Sequence, residues 1–168
     1  MEDVGVVGLG NMGSGIAECF VRASVSLAVW DTNEAALKPF RKRDRVRVMS
    51  PGNMAEAGVT MFFVVPATAE IEACFEADDG VLARAAQGLV VYDLTTSHPA
   101  DTRHLAQRAT EHGISYLDAA MSGGATGAAA GSLTLMVGGD RDVFQHTREQ
   151  LTVIADDIFH LGAVGAGH

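Results

Sequence analysis

Gly8-Leu9-Gly10-Asn11-Met12-Gly13 is a G-x-G-x-x-G stretch, and its surroundings decide how the chain is read. Alone the pattern is weak, because glycine makes up 19 of the 168 residues. Its flanks add the missing context. The apolar run Val4 to Leu9 leads into it, and a helical pattern from Ile16 to Ala23 follows. The next apolar run, Leu27 to Trp30, ends at Asp31, 18 residues after Gly13. Strand, glycine turn, helix, strand and acid in that order form a dinucleotide-binding fingerprint. Gly8 permits the tight turn, Gly10 lets the backbone reach a pyrophosphate, and Gly13 lets the helix pack close to the strand. Free N–H groups and a partial positive charge at the helix start suit phosphates. The whole turn, with Leu9, Asn11 and Met12 between its glycines, is therefore the expected cofactor cradle. Asp31 would accept from ribose hydroxyls and repel a 2′-phosphate, which favours NAD over NADP. Arg41, Lys42, Arg43, Arg45 and Arg47 lie a helix further on and read as a solvated face and loop.

The same alternation continues along the chain. Asp31-Thr32-Asn33 can cap a helix from Glu34 to about Arg43, and Val46 to Met49 is a short third strand. Pro51 to Ala57 reads as a helix with proline in its first turn. Val59 to Val65 is a strand ended by Pro66. Ala69 to Phe75 and Val81 to Ala86 are helical, with the turn Asp78-Asp79-Gly80 between them. Leu89 to Tyr92 is a strand, Pro99 to His112 a helix closed by Gly113, and Ile114 to Leu117 a strand. Beyond the glycine- and alanine-rich stretch Gly123 to Gly131 come strand Leu133 to Val137, helix Val143 to Leu151 and strand Ile158 to Leu161. Apolar strands alternating with helices predict an α/β fold of the doubly wound Rossmann type: one mostly parallel sheet with helices on both faces. Residues 1–168 are expected to form a single domain.

Composition excludes several classes. With 48% hydrophobic and 20% charged residues the chain is not disordered. A formal net charge of −9 opposes nucleic-acid binding. Cys19 and Cys74 have no metal-ligand or CxxC spacing, and the histidines show none either, so no metal site is expected. No run of 18 apolar residues suggests a membrane span, and the acidic start Met1-Glu2-Asp3 does not resemble a secretory signal. The expected setting is soluble, reducing and cytoplasmic.

The glycine motif and three further segments carry a family resemblance. Gly8 to Ala17, GLGNMGSGIA, resembles the opening of the β-hydroxyacid dehydrogenases, the family of 3-hydroxyisobutyrate dehydrogenase and tartronate semialdehyde reductase. Asp93-Leu94-Thr95-Thr96-Ser97-His98-Pro99 is similar to its D-x-S-T-x-x-P segment. Asp118 to Gly124, DAAMSGG, is similar to its D-A-P-V-S-G-G segment, and Gly131 to Gly139, GSLTLMVGG, to the strand that follows. The resemblance implies reversible hydride transfer between NAD, or less readily NADP, and a small β-hydroxy acid. It places Val65, Pro66, Glu70 and Thr96 beside the cofactor, and Ser122, Gly123 and Gly124 on the substrate, where glycine N–H groups make an anion nest. Thr95-Thr96-Ser97 could instead cap the next helix. Asp93 and Asp118 read as strand-end and turn residues rather than acids or bases.

The chain departs from the family at Ser24, which replaces a turn glycine and suggests an altered turn, and at Ala120 and Met121, which replace proline and valine. The family's proton-transfer lysine follows a G-x-G-x-x-x-K turn that here begins at Gly165-Ala166-Gly167-His168; its position lies beyond His168. Lys38 and Lys42, the only lysines, stand in an early helix. The resemblance thus implies the cofactor half of a longer enzyme, inactive alone, with the family's helical second domain absent. The face that domain covers would favour self-association or a homo-oligomer. Two alternatives stand beside it: a stand-alone dinucleotide-binding or sensing module, and a 6-phosphogluconate dehydrogenase-like enzyme. The second calls for basic residues near Ser122, and none lies within ten residues.

Overall fold

The structure, a computed structural model, describes residues 3–168; Met1 and Glu2 of the acidic start lie outside them. In chain order the elements are β1 (Val4–Val7), α1 (Asn11–Arg22), β2 (Leu27–Trp30), α2 (Glu34–Leu37), β3 (Val46–Val48) and α3 (Pro51–Ala57). They continue with β4 (Thr60–Phe63), α4 (Thr68–Glu76), α5 (Val81–Arg84), β5 (Val90–Asp93) and α6 (Pro99–Glu111). Last come β6 (Ser115–Ser122), α7 (Gly124–Ala130), β7 (Leu133–Gly138), α8 (Arg141–Leu151) and β8 (Ala155–Gly162).

The strands form one eight-stranded sheet in the order β3-β2-β1-β4-β5-β6-β7-β8. All pairs are parallel except β6 with β7. This is the doubly wound fold expected, with one antiparallel step that the alternation of elements did not reveal. Only residues 123–132 separate β6 from β7, short of the dozen or more residues of a parallel crossover. The chain enters at β1, runs outward to β3, then returns to β4 on the other side of β1. That reversal opens a crevice outside the carboxyl ends of β1 and β4, where ligands bind in such sheets.

Strand periodicity divides the core between the two faces. Val6, Phe62, Tyr92 and Leu117 are successive register partners on one face, where Phe62 stacks on Tyr92 at 5.4 Å and meets Phe20 of α1 at the same distance. Val7, Met61, Phe63, Val91 and Tyr116 point to the other face and pack with Met54, Ile71, Phe75 and Leu105 of α3, α4 and α6. The Tyr92 hydroxyl is satisfied by Thr147 of α8 at 2.7 Å, and burial pushes its pKa up to about 12.

Several element bounds differ from those the sequence predicts. α2 stops at Leu37 instead of Arg43, because Pro39 has no N–H to continue the ladder and the chain goes on in turns through Phe40 and Arg41. α1 starts at Asn11, inside the glycine motif, five residues before Ile16. β6 runs on from Leu117 to Ser122, and Gly124–Ala130 is a helix where the composition suggested only a biased stretch. Ser24 adopts φ 57°, in the left-handed region that favours glycine. Its carbonyl accepts from Arg45 at 3.1 Å.

Candidate functional site

A cleft of about 950 Å³ opens at the carboxyl ends of β1, β2 and β4. It is large enough for a cofactor-sized ligand. Of the residues the sequence assigns to the cofactor, it gathers Gly8, Gly10, Asn11, Met12, Gly13, Asp31, Val65, Pro66, Glu70 and Thr96.

Three glycines there do three separate jobs. Gly8 sits at φ 94°, and a Cβ on it would stand 2.3 Å from the Val64 carbonyl oxygen. A Cβ on Gly13 would stand 1.8 Å from the Gly8 carbonyl oxygen, so these two are required by the protein's own packing. Gly10 differs: a Cβ there would meet nothing within 4 Å. Its missing side chain leaves room on the cleft side of the turn, as a close backbone approach to a phosphate demands.

The start of α1 is also left open. Gly10 caps it without any side-chain hydrogen bond, and its first turn holds no acid. The first N–H groups of a helix have no partner within it, and here Asn11, Met12 and Gly13 line the cleft. By contrast α2, α3, α6 and α8 are capped by Asn33, Ser50, His98 and Asp140. His98 thus takes the capping role considered for Thr95-Thr96-Ser97.

Asp31 ties the turn to the end of β2. One carboxylate oxygen accepts from Leu9 N–H at 2.6 Å, the other from Asn33 N–H at 2.7 Å. Leu9 itself is not brought to the cleft; its side chain is in the core and its N–H is committed to Asp31. Of the basic stretch, Arg41, Arg43 and Arg47 pair with Glu34, Glu18 and Asp3 at the surface. No lysine or arginine is among the described residues lining the cleft, whereas Asp31, Glu70 and Asp79 are.

Ser122, Gly123 and Gly124 lie apart from this lining. Ser122 ends β6 exposed, opposite Thr134, and Gly123, at φ 122°, leads into α7. Met121, one residue earlier, does line the cleft, so the segment starts where the cleft ends. α7 rests on α1 so closely that a Cβ on Gly15 would stand 2.8 Å from the Ala129 nitrogen. Cys19 and Arg22 of α1 donate to the Ala128 and Ala129 carbonyls at 3.1 and 2.7 Å.

Sequence inspection missed Trp30, Thr32, Ser50, Val64 and Leu94, all of which follow or end parallel strands and could have been found from that rule. Ala73, Cys74, Ala77 and Gly80 come from the flank of α4 and the turn after it, for which no local signal exists. Burial raises the Cys74 thiol to about 11, with the nearby Glu70 adding to the effect. Among the described residues no group of three His, Cys, Asp or Glu is placed to hold a metal ion. No helix among them is long and apolar enough to cross a membrane.

The profile of the NAD binding domain of 6-phosphogluconate dehydrogenase matches residues 3–162. The chain belongs to that family. Like the rest of it, this is an NAD-binding domain, and its relatives are hydroxyacid dehydrogenases, as the resemblance implies. It is 34% identical to the NAD-dependent L-serine dehydrogenase of Pseudomonas aeruginosa over 99% of its length and 56% of that protein's. It is 32% identical to human mitochondrial 3-hydroxyisobutyrate dehydrogenase over 98% of its length and 49% of that protein's. The solved structure of Mycobacterium tuberculosis 3-hydroxyisobutyrate dehydrogenase with L-serine superposes with a TM-score of 0.90 at 33% identity, covering 99% of this chain and 56% of that one. The chain spans about half the length of the curated relatives it matches.

Proposed function

We propose that residues 1–168 form one domain that supplies the cofactor half of a hydride transfer between NAD and a small β-hydroxy acid. The observation that carries this is the cleft at the β1–β4 reversal, where the open α1 start and the vacant Cβ space of Gly10 face the same volume. In it the α1 N–H groups hold the pyrophosphate, and Asp31, braced by Leu9 and Asn33, keeps lone pairs for the ribose hydroxyls. Val65, Pro66 and Thr96 line the path toward the nicotinamide, and Glu70 flanks it. NAD, when bound, supplies the hydride acceptor. The absence of a cation among the described lining residues, beside the Asp31 carboxylate, supports NAD over NADP.

Ser122, Gly123 and Gly124 receive the substrate's carboxylate or hydroxyl through the Ser122 hydroxyl and glycine N–H groups. Support comes from relatives named for L-serine and 3-hydroxyisobutyrate, both small β-hydroxy acids. A proton acceptor must lie within hydrogen-bond reach of the substrate hydroxyl. Neither Lys38 nor Lys42 lines the cleft, so these residues bind without turning over and need a lysine-bearing helical domain to complete the pocket. Self-association is part of the proposal. The exposed Phe159 and Leu161 on edge strand β8 supply an apolar surface for it.

The test is to assay the 168-residue chain, and the same chain fused to the remaining part of the P. aeruginosa relative, with NAD and either L-serine or 3-hydroxyisobutyrate. NADH formation by the fusion alone is expected. Turnover by the unfused chain, or NADH formation by neither when both bind the cofactor, would overturn it.

A further inference from the structure

Asp93 is fully buried at the end of β5 with no cationic side chain bonded to it. Its two carboxylate oxygens are taken up by neighbours. Thr95 N–H donates to one at 2.8 Å, and the Tyr116 hydroxyl of β6 donates to the other at 2.7 Å. Thr95, itself 2% exposed, accepts at its hydroxyl oxygen from Val65 N–H at 3.4 Å. One residue to either side, Leu94 and Thr96 line the cleft, as do Val64, Val65 and Pro66 on the neighbouring crest. Thr68 and Ser97 join their hydroxyls a few residues further out.

We propose that Asp93 and Thr95 are positioning residues for the cofactor cleft: through them the crest after β5 is locked to the crest after β4. Neither touches the cleft. The lock rests on the cofactor assignment given above, but its geometry is a property of the chain without ligand. A buried acceptor between two crests fixes their spacing only while its donors are satisfied, and an orphaned buried N–H is costly enough to move. Burial raises the Asp93 carboxyl above its ordinary range, opposed by Tyr116, Thr95 and the attraction of His168. Its register neighbour Asp118 is held separately, by the N–H groups of Gly165, Gly167 and His168. Because folding raises the Asp93 pKa, the stability linked to its protonated form is lost as pH rises from the ordinary carboxyl range through the folded-state pKa.

The test uses Thr95→Val, which removes the acceptor while keeping the shape, with Thr95→Ser as the rescue and Asp93→Ala and Asp93→Asn as the second pair. NADH affinity, melting temperature and amide exchange are measured for each. Thr95→Val is expected to weaken NADH about tenfold with little change in melting temperature, and Thr95→Ser to restore affinity. In the ligand-free chain, Thr95→Val should speed exchange at Val65, and Asp93→Ala at both Val65 and Thr95, while Met61 to Phe63 stay protected. Asp93→Asn retains an acceptor for Thr95 and is expected to restore most of the protection. Unchanged exchange at Val65, or affinity lost only in step with melting temperature, would overturn the proposal. If the unaltered chain fails to bind NADH, the cofactor assignment falls instead, and the exchange measurements still decide the lock.

Discussion

The two ends of the sheet treat their polar groups in opposite ways. At the β1–β4 end the start of α1 has no side-chain cap, and Gly10 borders open space. At the β6–β8 end the start of α8 and the turn at residues 165–168 are closed off by carboxylates. Asp140 accepts from both Asp142 and Val143 at the start of α8. Asp118, fully buried, gathers the N–H groups of Gly165, Gly167 and His168 at 2.7, 2.8 and 3.0 Å. Buried donors in native proteins are nearly always satisfied. The start of α1 is bare inside the cleft, whereas α6 and α8, the helices nearest it in length, carry side-chain caps; that open start is what the proposed ligand would complete.

That contrast makes substitutions at the two ends separable. The largest effect is expected at Gly13, whose Cβ would collide with the Gly8 carbonyl: Gly13→Ala should cost about 3 kcal/mol or more and unfold much of the chain, visible in a denaturant titration. Asp118→Ala comes next. It strands three N–H groups and should cost about 3 kcal/mol, with amide exchange rising in residues 165–168 and NADH affinity of the folded population little changed. Asp31→Ala reverses that pattern: it releases Leu9 and Asn33 at the cleft and should weaken NADH by about tenfold or more, with a smaller loss of stability. Comparable losses of affinity from Asp31→Ala and Asp118→Ala would erase the distinction between the two ends.

The smallest effect concerns Cys74. With its pKa at about 11 it should react slowly with a thiol reagent near neutral pH and faster as pH rises, and NADH should slow it further. Cys19, buried under α7 and bonded to Ala128, should stay unmodified in the folded chain, as mass spectrometry would show.

Sequence alone made the β1–β5 half readable because its signals are local. Apolar runs ended by glycine, aspartate or proline give β1, β2 and β4, and the placement of Pro51 gives α3 to the residue. The other half resisted for physical reasons. Gly124–Ala130 has neither a strong apolar period nor a cap; it is helical because Gly15 of α1 lets it approach and because Cys19 and Arg22 hold its last carbonyls. Those are tertiary facts. The antiparallel return of β7 follows from a short connection whose helix was not visible. At the cleft, the motif glycines and Asp31 could be named from spacing. The α4 wall could not, nor could the partners of Asp93 and Asp118, because a sequence does not show which donors a buried carboxylate will meet.

If the α1 end is built around a dinucleotide, Gly10 is the residue that isolates that role, because it borders the cleft without supporting the fold. Calorimetric titration of the 168-residue chain and its Gly10→Val variant with NADH, then NADPH, tests it most directly. Micromolar NADH binding by the unaltered chain, weaker NADPH binding, and loss of both in Gly10→Val are expected. The variant should stay folded, with stability within about 1 kcal/mol, because a Cβ at Gly10 meets nothing within 4 Å and its φ of −65° suits any residue. NADH binding that survives Gly10→Val, or a folded unaltered chain that binds neither cofactor, would contradict it.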